Sequence, residues 1–208
     1  MFTGIVQGIA TVTAVTPRAD IITLQVEFSQ GATAGVVQGA SVSLDGCCLT
    51  VTAIPTSSSL TFDLVPETIQ RSSFKDVAKG SKINFERSLR FGDEVGGHIL
   101  SGHVDTVAEV CNVQLFDNSR VVTFRCSPEW TKYLFTKGYI ALNGASLTLT
   151  RVDKTTGEFD ISLIPETLAK TTFGAIVIGE VVNVEVDRTT QAIVDTVERI
   201  IAERGSAA

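Results

Sequence analysis

The 208-residue sequence predicts an all-β protein: two tandem, homologous antiparallel β-barrels of about six strands each, followed by one C-terminal α-helix. Three observations carry that expectation. The chain repeats itself, each copy alternates as strands do, and one helical periodicity stands alone at the carboxyl end.

Composition sets the frame. Hydrophobic residues make up 44% and charged residues 19%, which excludes a disordered chain or a coiled coil and leaves room for one large core or two small ones. A net charge of −6 with 17 scattered Lys and Arg argues against nucleic acid or an anionic membrane surface as partner. No apolar run reaches the roughly 18 residues of a membrane helix. The first stretch carries no basic residue before Arg18 and does not read as a secretory signal, so the expected location is the cytoplasm. Cys47, Cys48, Cys111 and Cys126 lack metal spacing and read as free thiols.

Taken in order, MFTGIVQGIATVTAV reads as a strand, with Ile9, Thr11 and Thr13 alternating with Ala10, Val12 and Ala14. SVSLDG and CCLTVTAI are two strands joined at Asp45-Gly46, residues that tolerate the positive φ of a tight hairpin turn. Pro66-Glu67-Thr68 opens a short helix, with proline in the first turn and an acid near its positive end. The same series then recurs at a shift of about 98 residues. GHVDTVAEVCNV from Gly102 answers GIVQGIATVTAV from Gly4, and IALNGASLTLTRV from Ile140, with its Asn143-Gly144 turn, answers VSLDGCCLTVTAI from Val42. LIPETLAKTTFGAIVIGEVVNVE from Leu163 answers LVPETIQRSSFKDVAKGSKINFE from Leu64. Two copies are too few for a solenoid, so each closes on itself. Ser127-Pro128-Glu129-Trp130 predicts another short helix with a serine N-cap. TTQAIVDTVERIIAERG is the long one: Ile193, Val194, Val197, Ile200 and Ile201 recur at helical spacing and Gly205 offers a stop. It lies outside the repeat, and its stripe either docks on its own barrels or meets copies in neighbouring chains.

No phosphate loop, dinucleotide fingerprint, metal cluster or nucleophile elbow is present. The two histidines, His98 and His103, bracket GGHILSGH, where the second copy begins. Histidine is the side chain suited to proton transfer near neutral pH, although a turn residue or a satisfied buried ring is the competing reading. His103 stands where the first copy has Ile5, and Cys48 where the second has Ser146. Such differences suggest unlike duties at equivalent sites, against the alternative that Cys48 is a small apolar filler. Vicinal Cys47 and Cys48 face opposite sides of a strand.

MFTGIV, CCLTV, GDEVGGHILSGHVD, NGASLTL, IPETL and VDRTTQAIVDTVERIIAER, in this order and over nearly the whole chain, resemble the riboflavin synthase family. The resemblance implies two six-stranded Greek-key barrels, lumazine-binding domains at 1–97 and 98–187, and an oligomerisation helix at 188–208. It implies a homotrimer that dismutates two molecules of 6,7-dimethyl-8-ribityllumazine into riboflavin and a ribitylamino-pyrimidinedione by four-carbon transfer, with no cofactor and no metal. Lumazine and riboflavin are then the small-molecule partners, and whether the protein travels free or inside a lumazine synthase capsid stays open. The active site would form between the amino-terminal barrel of one subunit and the carboxyl-terminal barrel of its neighbour. The amino-terminal pocket would use Gly4, Ile5, Val6, Ser41, Cys48, Leu49 and Thr50, with Asp63, Leu64, Val65, Pro66, Glu67 and Thr68. The opposing pocket would use Gly102, His103, Val104, Lys137, Ser146, Leu147 and Thr148, with Ser162, Leu163, Ile164, Pro165, Glu166, Thr167 and Asp187. Phe2 would cap the pocket, and Glu67 and Glu166 would accept ribityl hydroxyls. His103 is the expected proton shuttle with Ser146 and Thr148 beside it, Cys48 or a water held by Ser41 the nucleophile, and Asp187 a further catalytic group. A non-catalytic lumazine- or flavin-binding protein is the alternative.

Overall fold

The computed structural model describes residues 1–205. β1 (Gly8–Arg18), β2 (Ile21–Glu27), β3 (Ser41–Leu44), β4 (Cys47–Thr56), β5 (Ser59–Leu64) and β6 (Lys82–Arg87) close one barrel, in the order β1-β2-β5-β4-β3-β6. β7 (Thr106–Phe116), β8 (Ser119–Cys126), β9 (Tyr139–Leu142), β10 (Ala145–Asp153), β11 (Glu158–Leu163) and β12 (Val181–Val186) close the second, in the equivalent order. All pairs are antiparallel, and β2 pairs with β5 rather than β3, which is the Greek-key connection. Closure leaves no free sheet edge.

Alternation builds each core: Ala10 and Val12 point in while Ile9 faces out, until a bulge between Val12 and Ala14 shifts the register and increases the local twist. The strand starts later than its sequence suggests. Met1–Gln7 lie outside β1, because this segment leaves its own barrel to reach the other, and Phe2 forms a lone bridge to Leu100.

Both predicted hairpins are present as two-residue turns with positive φ throughout: Asp45 43° and Gly46 81°, Asn143 42° and Gly144 78°. These two turns touch. A Cβ on either glycine would fall 2.8 Å from the other's backbone nitrogen, so the barrels meet at a contact only glycine permits. Around it the bonds come in reciprocal pairs. Asn84 Nδ2 donates to the Asn143 carbonyl (3.0 Å) and Asn183 Nδ2 to that of Asp45 (2.8 Å), while Thr172 N donates to Asn84 Oδ1 (2.8 Å) and Ser73 N to Asn183 Oδ1 (2.7 Å). The barrels are related by a pseudo-two-fold axis.

The proline-opened helices form as α1 (Pro66–Arg71) and α2 (Pro165–Lys170), each followed by a 3-10 turn whose buried Phe74 or Phe173 joins its barrel core. Pro128–Tyr133 is a 3-10 helix, but the Ser127 side chain does not cap it. α3 (Arg188–Gly205) is capped by Asp187, whose Oδ2 accepts from Thr190 N (2.8 Å) and Thr190 Oγ1 (2.6 Å). The expected stop at Gly205 coincides with the last described residue. The five-residue stripe divides: Val194 packs on the second barrel, whereas Ile193 (60% exposed), Val197 (48%), Ile200 (40%) and Ile201 (65%) face away. Tyr133 Oη and Lys132 Nζ hold Asp195 at 2.6 and 3.2 Å. Among the described residues no helix is long and apolar enough to cross a membrane.

Candidate active site

Two equivalent straps, Thr3–Gln7 and Ser101–Asp105, decide where the chemistry sits. Each is pinned by a buried glutamate from the last strand of its own barrel. Glu86 accepts from Thr3 N (2.6 Å), Thr3 Oγ1 (2.7 Å) and Gly4 N (2.9 Å). Glu185 accepts from Ser101 N (2.7 Å), Ser101 Oγ (2.6 Å) and Gly102 N (3.0 Å). Burial raises the Glu86 carboxyl above its usual range, against these three donors and the amino terminus.

Beyond its clamp each strap docks on the other barrel. Cys48 N donates to the Gly102 carbonyl at 2.7 Å, and Ser146 N to that of Gly4 at 2.8 Å. Only glycine fits at these crossings: φ is +78° at Gly102 and +75° at Gly4, and a Cβ there would lie 2.6 Å from Cys48 Cβ and 2.5 Å from Ser146 Cβ.

The straps therefore trade places relative to the expected grouping. The first pocket, about 220 Å³, is lined by Cys47, Cys48, Glu67, Thr68, Arg71 and Ser72 of the first barrel together with Gly102, His103 and Val104. The second, about 250 Å³, combines Ser146, Leu147, Ile164, Glu166, Thr167 and Lys170 with Gly4, Ile5 and Val6. His103 thus shares a cavity with Cys48, not with Ser146 and Thr148. The residue beside Ser146 is His98, whose Nδ1 lies 2.6 Å from Ser146 Oγ and whose ring stacks on Tyr139 at 5.0 Å. His98 is buried and its Nε2 has no protein partner among the described residues. Burial holds its pKa below the usual histidine value, while the charge of Asp187 pulls the other way.

Phe2, expected over the pocket, is fully buried with Leu100 and Ala141, and Cys48 packs on that cluster from the pocket side. Leu49, Leu64 and Leu163 contribute their side chains to the barrel cores. Half-buried Ser41 pairs with exposed Thr50, and Thr148 with Tyr139, outside both pocket linings. Lys137 is exposed at a positive φ of 70°, Asp63 accepts from Thr23 Oγ1 at 2.6 Å, and Ser162, Val65, Pro66 and Pro165 are exposed around the helix entrances. Asp187 caps α3: burial works against its charge, but the Thr190 hydroxyl and amide, the Thr189 amide and His98 hold its pKa low. Cys47 faces its barrel core, and burial, with Cys48, Asp45 and Glu185 nearby, pushes its thiol up to about 12. Among the described residues no group of three His, Cys, Asp or Glu side chains is placed to hold a metal ion.

Sequence reasoning missed the clamp glutamates, although INFE and VNVE repeat in both copies. It also assigned His98 no task, since nothing in GGHILSGH tells which of two histidines reaches which barrel.

Comparison with known proteins matches this architecture. The family model of the lumazine binding domain fits twice, over residues 3–88 and 101–187. Riboflavin synthase of Escherichia coli (strain K12) is 43% identical across 100% of this chain and 96% of its own, and that of Chlamydia pneumoniae 41% identical across 99% of each. Riboflavin synthase of Bacillus subtilis (strain 168) is 37% identical, covering 90% of this chain and 85% of its own. Among solved structures, LumP complexed with riboflavin superposes with a TM-score of 0.83 at 25% identity, over 90% of this chain and 100% of that one. The chain thus belongs to the riboflavin synthase family of enzymes, built on two copies of the lumazine binding domain.

Proposed function

We propose that the protein converts two molecules of 6,7-dimethyl-8-ribityllumazine into riboflavin and 5-amino-6-(D-ribitylamino)uracil. The observation that carries this reading is the pair of pseudo-symmetric pockets with unlike polar groups. Two like cavities suit two like substrates, and a transfer between identical molecules still needs one donor and one acceptor. A four-carbon unit leaves one lumazine and completes the ring system of the other, so no external oxidant or cofactor enters the balance.

The donor must lose a proton from its acidic C7 methyl while the acceptor takes a nucleophile. In the first pocket Cys48 is the nucleophile candidate, since the thiol of Cys47 is turned into the core, and His103 is the proton carrier. In the second, His98 Nδ1 and the Ser146 hydroxyl share a hydrogen bond whose direction depends on the tautomer, and through it the pair can pass a proton. Asp187 beside His98 favours the imidazolium that proton uptake creates. Glu67 and Glu166 accept ribityl hydroxyls at the helix entrances. Holding two reactants in register is worth about 7 to 11 kcal/mol of barrier.

Within one chain each pocket opens to solvent, so the proposal includes a homotrimer in which the first barrel of one subunit (residues 1–97) faces the second (98–187) of its neighbour. The outward stripe of Ile193, Val197, Ile200 and Ile201 supplies the contact. The cytoplasm is the proposed location, and lumazine synthase a candidate second partner. A carrier of lumazine or flavin is the alternative that the likeness to LumP supports. Incubating purified protein with the lumazine alone separates the two: riboflavin fluorescence with release of the pyrimidinedione supports the enzyme, and bound, unconverted lumazine would overturn it.

A further inference from the structure

The two straps share the glutamate clamp and a bond from the last strand to their final side chain, Arg87 N to Gln7 Oε1 (3.1 Å) and Val186 N to Asp105 Oδ2 (2.9 Å), but only one of them meets an arginine. Arg188, in the first turn of α3, reaches the Ser101–Asp105 strap at three points. Its Nη2 donates to the His103 carbonyl at 2.7 Å, its Nη1 to Asp105 Oδ1 at 2.7 Å, and its Nε to Ser101 Oγ at 3.4 Å. The same guanidinium holds Gln191 of α3 (2.7 Å) and lies 3.7 Å from the buried Glu185 carboxylate. Asp105 in turn accepts from Val186 N at 2.9 Å. In the first copy the corresponding position is Leu89, which gives its amide to the Met1 carbonyl (3.0 Å) and brings no charge to the Thr3–Gln7 strap.

The structure assigns Arg188 as a positioning residue that fixes the His103 strap over Cys48, and so acts on the first pocket and not on the second. A guanidinium suits the task because its planar fork serves a carboxylate, a carbonyl and a hydroxyl from one rigid group, which a lysine cannot do. With the arginine gone, Glu185 still holds the Ser101 end and Val186 the Asp105 end, while His103 keeps only the 3.3 Å bond from its amide to Ser101 Oγ and the middle of the strap loosens.

That loosening is readable without substrate. In a Cys111→Ser background, which removes the half-exposed thiol on β7, Arg188→Ala should speed modification of Cys48 by an aromatic disulfide reagent at least fivefold, and Arg188→Lys should fall between. A melting scan identifies any variant that fails to fold, and the lysine variant then carries the test. Unchanged Cys48 reactivity in a folded variant would overturn the assignment. The assignment to one pocket rests on the two-site reading above. Riboflavin titrated into the full-length protein should show one site weakened about tenfold in Arg188→Ala, with the other within twofold. Equal weakening of both sites would overturn the one-sided role. Faster thiol reaction in a protein that binds no riboflavin would leave the strap assignment standing and remove the proposed function instead.

Discussion

Asp45 is a carboxyl where the other copy carries the amide of Asn143. It sits buried in the turn that touches the second barrel, at the edge of a cleft of about 680 Å³ shared with Lys82 and Glu180. Burial raises its pKa from 3.8 to about 7, with the Asn84 amide opposing. A pKa raised on folding means that the folded state binds the proton more tightly than the unfolded one. The resulting stability is fully present below pH 3.8 and is lost as pH climbs through about 7. Asp45→Asn should flatten that decline, leaving the variant more stable than the parent at pH 8 by on the order of a few kcal/mol and similar to it near pH 4. Urea unfolding at both pH values checks this, and parallel profiles would refute it. At the pockets, Cys48→Ala should lower kcat at least tenfold, whereas Cys47→Ala, which empties a small core position, should cost about 1 kcal/mol of stability and little turnover. Equal losses in kcat with folding intact would count against Cys48. His103→Gln is expected to reduce turnover with riboflavin binding largely retained, and calorimetry showing abolished binding would make His103 structural.

At the scale of elements, the straps are the vulnerable parts. Gly102→Ala would need a left-handed alanine whose methyl presses on Cys48, and Gly4→Ala one that presses on Ser146. Each should remove one of two riboflavin sites, a different one in each variant, and fluorescence quenching titrations count them. Loss of both sites from either change would mean that the pockets are not independent. The same straps mark where the sequence stops being legible. The Asp45-Gly46 and Asn143-Gly144 turns and the proline-opened helices follow from local backbone chemistry, and the duplication itself foretold two closed barrels. The exchange of straps could not be read that way, because duplication gives both barrels nearly the same docking groove and no local signal separates own from other. Hence the sequence alone groups His103 with Ser146, although its strap delivers it to Cys48. Glu86 and Glu185 left a visible trace as repeated residues, yet a buried carboxylate bound by three donors looks, in sequence, like any strand-end acid.

For the whole molecule, α3 is the part with unfinished business. Its four outward apolar side chains, each worth roughly 1.5 to 3 kcal/mol on burial before entropic costs, suffice to join subunits if several helices meet. Removing residues 189–208 should leave two folded barrels but a lighter particle in sedimentation, and turnover should drop with assembly. A stable trimer with full activity would place the subunit contact elsewhere. The strap exchange has a different consequence, for descent. Two barrels that each lend a segment to complete the other, about a two-fold axis and with matched bonds on both sides, have the geometry of a segment-swapped dimer whose halves share one chain. An ancestor with a single barrel would have built two identical pockets by pairing with itself, and a change in one would have appeared in both. Joining the halves ended that bondage: Ile5 and His103, Ser146 and Cys48, Leu89 and Arg188 became free to differ. The two pockets of one chain are thereby free to take different duties.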